Sequence, residues 1–224
     1  MKKILALILV LASAFTLFSC GESRDIVKRV NKMYTSLVPT KIVTETTQDI
    51  GAHVLTGEYV LTMGTIDGNT VTTLYYSYQQ LRSIEDGAGS TVELPWEDVT
   101  LTKEYHEEKG VRENGGKWDK EAEDFAPTVE DIALKISANR VEEVTEDEKT
   151  KTITFIVPKD NTADVFGEEN AIEADVQVTI VHDGAAIMSV TLSYTVPAAK
   201  KDYPDIVTVI KTTYSYEPQE ITIN

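Results

Sequence analysis

Asp175-Val176-Gln177-Val178-Thr179-Ile180, a turn at His182-Asp183-Gly184, then Met188-Ser189-Val190-Thr191-Leu192-Ser193-Tyr194: this stretch alternates apolar and polar residues on both sides of the turn. Successive side chains of a strand point to opposite faces. Val176, Val178, Ile180, Met188, Val190, Leu192 and Tyr194 therefore share one side of a hairpin, and Gln177, Thr179, Ser189, Thr191 and Ser193 take the other. One-sided alternation belongs to an antiparallel sheet with one face covered and one solvated. The fold class that follows is α+β, with one large curved antiparallel sheet.

The same habit extends outward from this hairpin. Asp205–Tyr216 reads as a last long strand. Lys151–Val157 and Val141–Thr145 flank a charged turn, and Glu142, Glu143, Glu146, Asp147 and Glu148 are expected to be a solvated hairpin end. Further back, Lys41–Gln48 is rich in Thr, Val and Ile. His53–Gly64 sets Leu55, Tyr59, Leu61 and Met63 on one face, Asp67-Gly68 signals a hairpin, and Asn69–Ile84 returns through Leu74, Tyr76 and Tyr78. Val99–Glu108 and Val111–Asp119 read as shorter strands, with Trp118 a packing anchor. Two helices are expected. Ser23–Leu37 carries Ile26, Val30, Met33 and Leu37 at helical spacing, with Val27 and Tyr34 widening the stripe. Thr128–Ala138 opens on Thr128 and Asp131, an acidic variant of the capping box. Asn161–Phe166 adds one helical turn.

The N-terminus addresses location. Lys2-Lys3 precede the uncharged Ile4–Phe18, the pattern of a secretory signal peptide. Leu17-Phe18-Ser19-Cys20 closes it with the chain's single cysteine, and this box resembles the lipobox of bacterial lipoproteins. The resemblance implies that residues 1–19 are removed and that Cys20 is lipidated. A chain held by two acyl groups stays on a membrane without a spanning helix. Its place would be the extracytoplasmic face of a bacterial envelope, with the membrane as partner through Cys20. Removing 19 residues from 224 leaves 205, within the range of one β-rich domain, 20–224. The formal net charge of −16 becomes more negative once Lys2 and Lys3 are gone, which argues against nucleic acid as a partner.

Chemistry is sparse. With Cys20 committed to lipid and no Gly-x-Ser-x-Gly elbow, no nucleophile stands out. His182 and Asp183 fall on a hairpin tip and are expected to be exposed turn residues. His53, His106 and His182 are dispersed, and His106-Glu107-Glu108 lies on a strand whose neighbours diverge, so no metal site is expected. No cofactor motif is present. The expectation is a protein without enzymatic activity. Aromatic residues are the remaining constellation: Tyr59, Tyr75, Tyr76, Tyr78, Tyr194, Tyr214 and Tyr216 lie on or near long strands, where tyrosine serves sheet packing or lines an apolar hollow.

The order of lipobox, N-terminal helix, long strands, central helix and further long hairpins resembles the LolA-like/LppX-like lipoprotein carriers. The likeness covers nearly the whole mature chain and lies in topology, so no family residue is carried over. It implies a half-barrel with the N-terminal and central helices packed on its concave face, and a hollow that takes lipid or acyl chains. On this chain the lining would be Tyr59, Leu61, Met63, Leu74, Tyr76, Val178, Ile180, Met188, Val190, Leu192 and Tyr194. The competing expectation is a lipid-anchored interaction or structural module of the envelope, in which the same residues are solid core.

Overall fold

Ile26, Val27, Val30, Met33 and Tyr34 recur at helical spacing, and all five are buried on a helix, α1, spanning 21–34. The computed structural model describes residues 21–51, 53–80, 83–85, 91–93, 97–198 and 204–223. Cys20 and the signal stretch before it lie outside these residues. α1 stops three residues before the expected Leu37. Thr35 and Ser36 turn their hydroxyls back onto the carbonyls of Lys32 and Met33, and Pro39 pushes the residue before it out of helical geometry. Leu37, expected in the buried stripe, is consequently exposed.

The strands are β1 (Lys41–Asp49), β2 (Val54–Ile66), β3 (Asn69–Gln80), β4 (Ser83–Glu85), β5 (Thr91–Glu93), β6 (Glu97–His106) and β7 (Gly110–Glu113) in the first half. The second half holds β8 (Glu142–Asp147), β9 (Thr152–Val157), β10 (Val176–His182), β11 (Ile187–Val196) and β12 (Ile206–Ser215). Ten of them form one open, curved antiparallel sheet in the order β7-β6-β3-β2-β1-β12-β11-β10-β9-β8, while β4 and β5 pair separately. Two meanders are thus joined by their first and last strands, β1 against β12. Asp67 and Gly68 both take positive φ, 51° and 87°, as the tight turn between β2 and β3 requires.

Facing partners share a side of the sheet. One inner row reads Leu74, Leu61, Ile42, Tyr214 across β3, β2, β1 and β12. The next reads Tyr76, Tyr59, Thr44, Thr212, Val190, Ile180, Ile153 and reaches β9. Aliphatic positions concentrate in β9–β11, and α1 packs over them to make the core.

The central helix differs from expectation. Thr128 and Asp131 do close the capping box: Thr128 N–H donates to Asp131 Oδ2 at 2.8 Å, and Asp131 N–H donates to Thr128 Oγ1. Yet α2 (Val129–Ile132) is a single turn. From its last residue onward Ile132, Leu134 and Ile136 recur every second residue, a strand period rather than a helical one. The chain leaves the helix and inserts Ile136 into the core. α3 (Thr162–Phe166) is the expected turn, flanked by 3₁₀ segments. Among the described residues no helix is long and apolar enough to cross a membrane.

Candidate functional site

The third inner row, Tyr78, Gly57, Thr46, Ile210, Leu192, Val178, Phe155, divides the inner face in two. Val178 and Phe155 lie in the core. At the other end Gly57 interrupts β2 without a side chain, leaving a floor between Tyr78 and Thr46. A glycine inside a strand weakens it and marks a bend or a close approach. Here it opens a groove of about 430 Å³, walled by Tyr59, Tyr76, Tyr78, Thr44, Thr46, Gln48, Tyr194, Thr208 and Ile210. A second hollow of about 480 Å³ adjoins it through Tyr194 and Ile210, and is walled beyond by Leu192, Ile132, Leu134, Val165, Phe166 and Ile172.

The groove is aromatic at one end and aliphatic at the other. Tyr76 and Tyr78 stack with ring centroids 5.0 Å apart, and Tyr59 meets Tyr76 edge-on at 6.5 Å. Burial raises the Tyr59 phenol above its ordinary range, so the ring stays neutral. The threonines along the floor satisfy one another: Thr44 bonds Thr212 at 3.0 Å, and Gln48 donates to Thr208 at 3.3 Å. Apart from Glu58 in the groove and Asp131 in the second hollow, the walls are uncharged, which suits an apolar ligand fixed by a small number of polar contacts.

The expected lining residues divide accordingly. Tyr59, Tyr76, Leu192 and Tyr194 line the open grooves. Leu61, Val178, Ile180 and Val190 are buried in the cluster under α1, with Met63 and Leu74 packed against it. Met188 is in neither place. A register shift at Val181/His182 sets Ile187 opposite His182, and Ile187 takes the buried position. Thr44, Thr46, Gly57, Ile210, Phe166 and Ile172 complete the walls without having been singled out. The two-residue period of Thr44 and Thr46, in register with Tyr59 and Gly57, is the signal that identifies the first three.

Two acid–base expectations are corrected. His182 is buried, with 6% of its side chain exposed, because β10 runs on through it and it continues the inward period of Val176, Val178 and Ile180. Glu146, expected on a solvated hairpin end, is 11% exposed and stands between Arg29 of α1 and His182, with its Oε1 3.6 Å from His182 Nε2. Asp183 remains the exposed turn residue. It accepts the Ala185 and Ala186 N–H groups, each at 2.8 Å, and these bonds hold its carboxyl below the usual range. His106 packs edge-on against Trp118, 6.4 Å between centroids, on which Arg112 also rests. Among the described residues no three His, Cys, Asp or Glu side chains converge to hold a metal.

No family model and no curated protein matches the chain. Among solved structures it is similar to a DUF1329 family protein from Desulfovibrio piger at 10% identity. The alignment covers 91% of this chain and 94% of that one, with a TM-score of 0.28.

Proposed function

We propose that this protein is a membrane-tethered bacterial envelope lipoprotein without enzymatic activity, and that its inner groove holds an apolar ligand such as an acyl chain. The observation that carries the reading is the pair of adjoining hollows that α1 leaves uncovered, meeting at Tyr194 and Ile210. Anchoring at Cys20 supports it physically, since a tether raises the concentration of membrane lipid around the groove.

Native mass spectrometry of protein from a bacterial host tests this reading. Co-purified lipid is expected from the parent chain and is expected to be lost in Gly57→Leu. A Cβ at Gly57 meets its nearest atoms at 3.5–3.9 Å, ordinary contact distances, so the backbone accepts a side chain there that occupies the floor, and circular dichroism is expected to show the variant folded. Absence of retained lipid in the parent, or equal retention in the variant, overturns the reading. Lipidation is tested separately: a palmitate analogue is expected to label the parent and not Cys20→Ala.

One observation favours a second reading. Leu61, Val178, Ile180 and Val190 are solid core beneath α1. A non-catalytic interaction module needs no more than that, and it is the reading that stands if no lipid is retained.

A further inference from the structure

We propose that the pocket between the second half of α1 and the two sheet turns beside it is a binding site for a phosphate-class oxyanion. The pocket, of about 470 Å³, is lined by Arg29, Lys32, Glu146, Glu148, Lys151 and His182, with Met33, Ser36, Gly184 and Ala185 closing it. It stands apart from the inner groove and shares no lining residue with it.

Charge argues for an anion. The chain carries 37 acids against 21 lysines and arginines, yet here three permanent cations face two carboxylates. Of those carboxylates, Glu146 is already engaged inside the protein, bonded by Arg29 and faced by His182. Lys32 and Lys151 make no ion pair among the described residues, so their ammonium groups remain to meet a ligand. Glu148 is the only other carboxylate on the wall.

The fold holds these groups in place. Lys151 lies where the chain enters β9 with φ of 53°, and its carbonyl accepts the His182 N–H at 3.0 Å. Ser36 Oγ lies 2.7 Å from the Ala185 carbonyl and ties the end of α1 to the β10–β11 turn. Lys32 and Lys151 thus approach the pocket from two elements whose separation is fixed. Ammonium groups bind phosphate through charge-assisted hydrogen bonds, and each such bond changes affinity by about tenfold or more.

The chemistry fits inorganic phosphate and the phosphodiester of a lipid head group alike. The test titrates the full chain with sodium phosphate, using sodium chloride at matched ionic strength as the control, and follows backbone amides by NMR. A second arm measures sedimentation with phosphatidylglycerol-containing vesicles and with pure phosphatidylcholine vesicles. Saturable shifts at Ala185 and Lys151 are expected with phosphate. They should weaken at least tenfold in the Lys32→Gln, Lys151→Gln double variant and persist in Lys211→Gln, whose lysine faces Glu45 on the outer side of the sheet. Vesicle binding that needs phosphatidylglycerol and both pocket lysines identifies the head group as the source, and phosphate shifts without vesicle binding identify the free ion. The proposal is overturned if neither arm binds, if chloride reproduces the shifts, or if Lys211→Gln weakens binding as much as the double variant.

Discussion

Tyr216 donates its phenol hydrogen to the Ile187 carbonyl at 2.7 Å, beside the Asp183 turn. Burial is the larger cause, and the Asp183 charge the smaller, of a phenol pushed up to about 12. A raised pKa favours the neutral phenol in the fold. Its contribution is therefore complete below the unfolded value near 10 and is lost as pH rises through about 12. Denaturant titrations are expected to show falling stability across that window, with a smaller fall in Tyr216→Phe. At neutral pH the same variant should lose about 1–2 kcal/mol, the cost of an unpaired carbonyl. Asp183 has the opposite sign. Its lowered carboxyl gives stability above the unfolded value near 4, and that stability drains as pH falls through the lower folded value. Asp183→Ala should flatten the acid limb of the stability curve, and an unchanged limb would assign the acid sensitivity elsewhere. His182's burial extends the period of Val176, Val178 and Ile180 by one step and was hidden only by reading the turn as starting there, whereas Met188's displacement was not legible in the sequence. Ala186-Ile187-Met188 is apolar throughout, so nothing local marks which residue a one-residue register shift turns inward.

α1 draws its hold on the sheet from a stripe that the sequence displays openly. Val30 is 1% exposed and sits at the stripe's centre. Val30→Ala is expected to lower stability by roughly 1–3 kcal/mol through lost burial and an imperfectly collapsed cavity. Leu37→Ala, by contrast, should change it little, because Leu37 lies beyond the helix and is exposed. Chemical denaturation of the two variants checks the pair, and equal losses would place the helix end further on than Thr35. α2 teaches the converse. Its capping box was readable and closes as expected, but a cap states only that a helix begins. The period of two in Ile132, Leu134 and Ile136 already contradicts the eleven-residue helix expected over 128–138. Pairing with α3 then takes the chain out, Lys135 N–H donating to the Val165 carbonyl at 3.1 Å.

Across the whole molecule, hairpins of neighbouring strands were legible because alternation and turn residues are local. The seam between β1 and β12 was not, since its partners are far apart in the chain, Thr44 and Thr212 by 168 positions. That seam is the sole strand pairing joining the two meanders within the ten-stranded sheet. It also crosses the groove floor, where Thr46 faces Ile210. A proline at 212 removes one ladder donor and clashes with its neighbours in a central strand, where proline is not tolerated. If the sheet is one cooperative unit, Thr212→Pro should cost several kcal/mol and lower amide protection in β2 and β10 together, although neither strand is paired with β12. Hydrogen exchange read by mass spectrometry checks this. Protection lost in one meander and kept in the other would mean that the halves fold independently and that the groove spans a joint between two units. Protection lost in both would tie the groove to the stability of the entire sheet, so that a bound acyl chain at Ile210 should slow exchange as far away as Phe155.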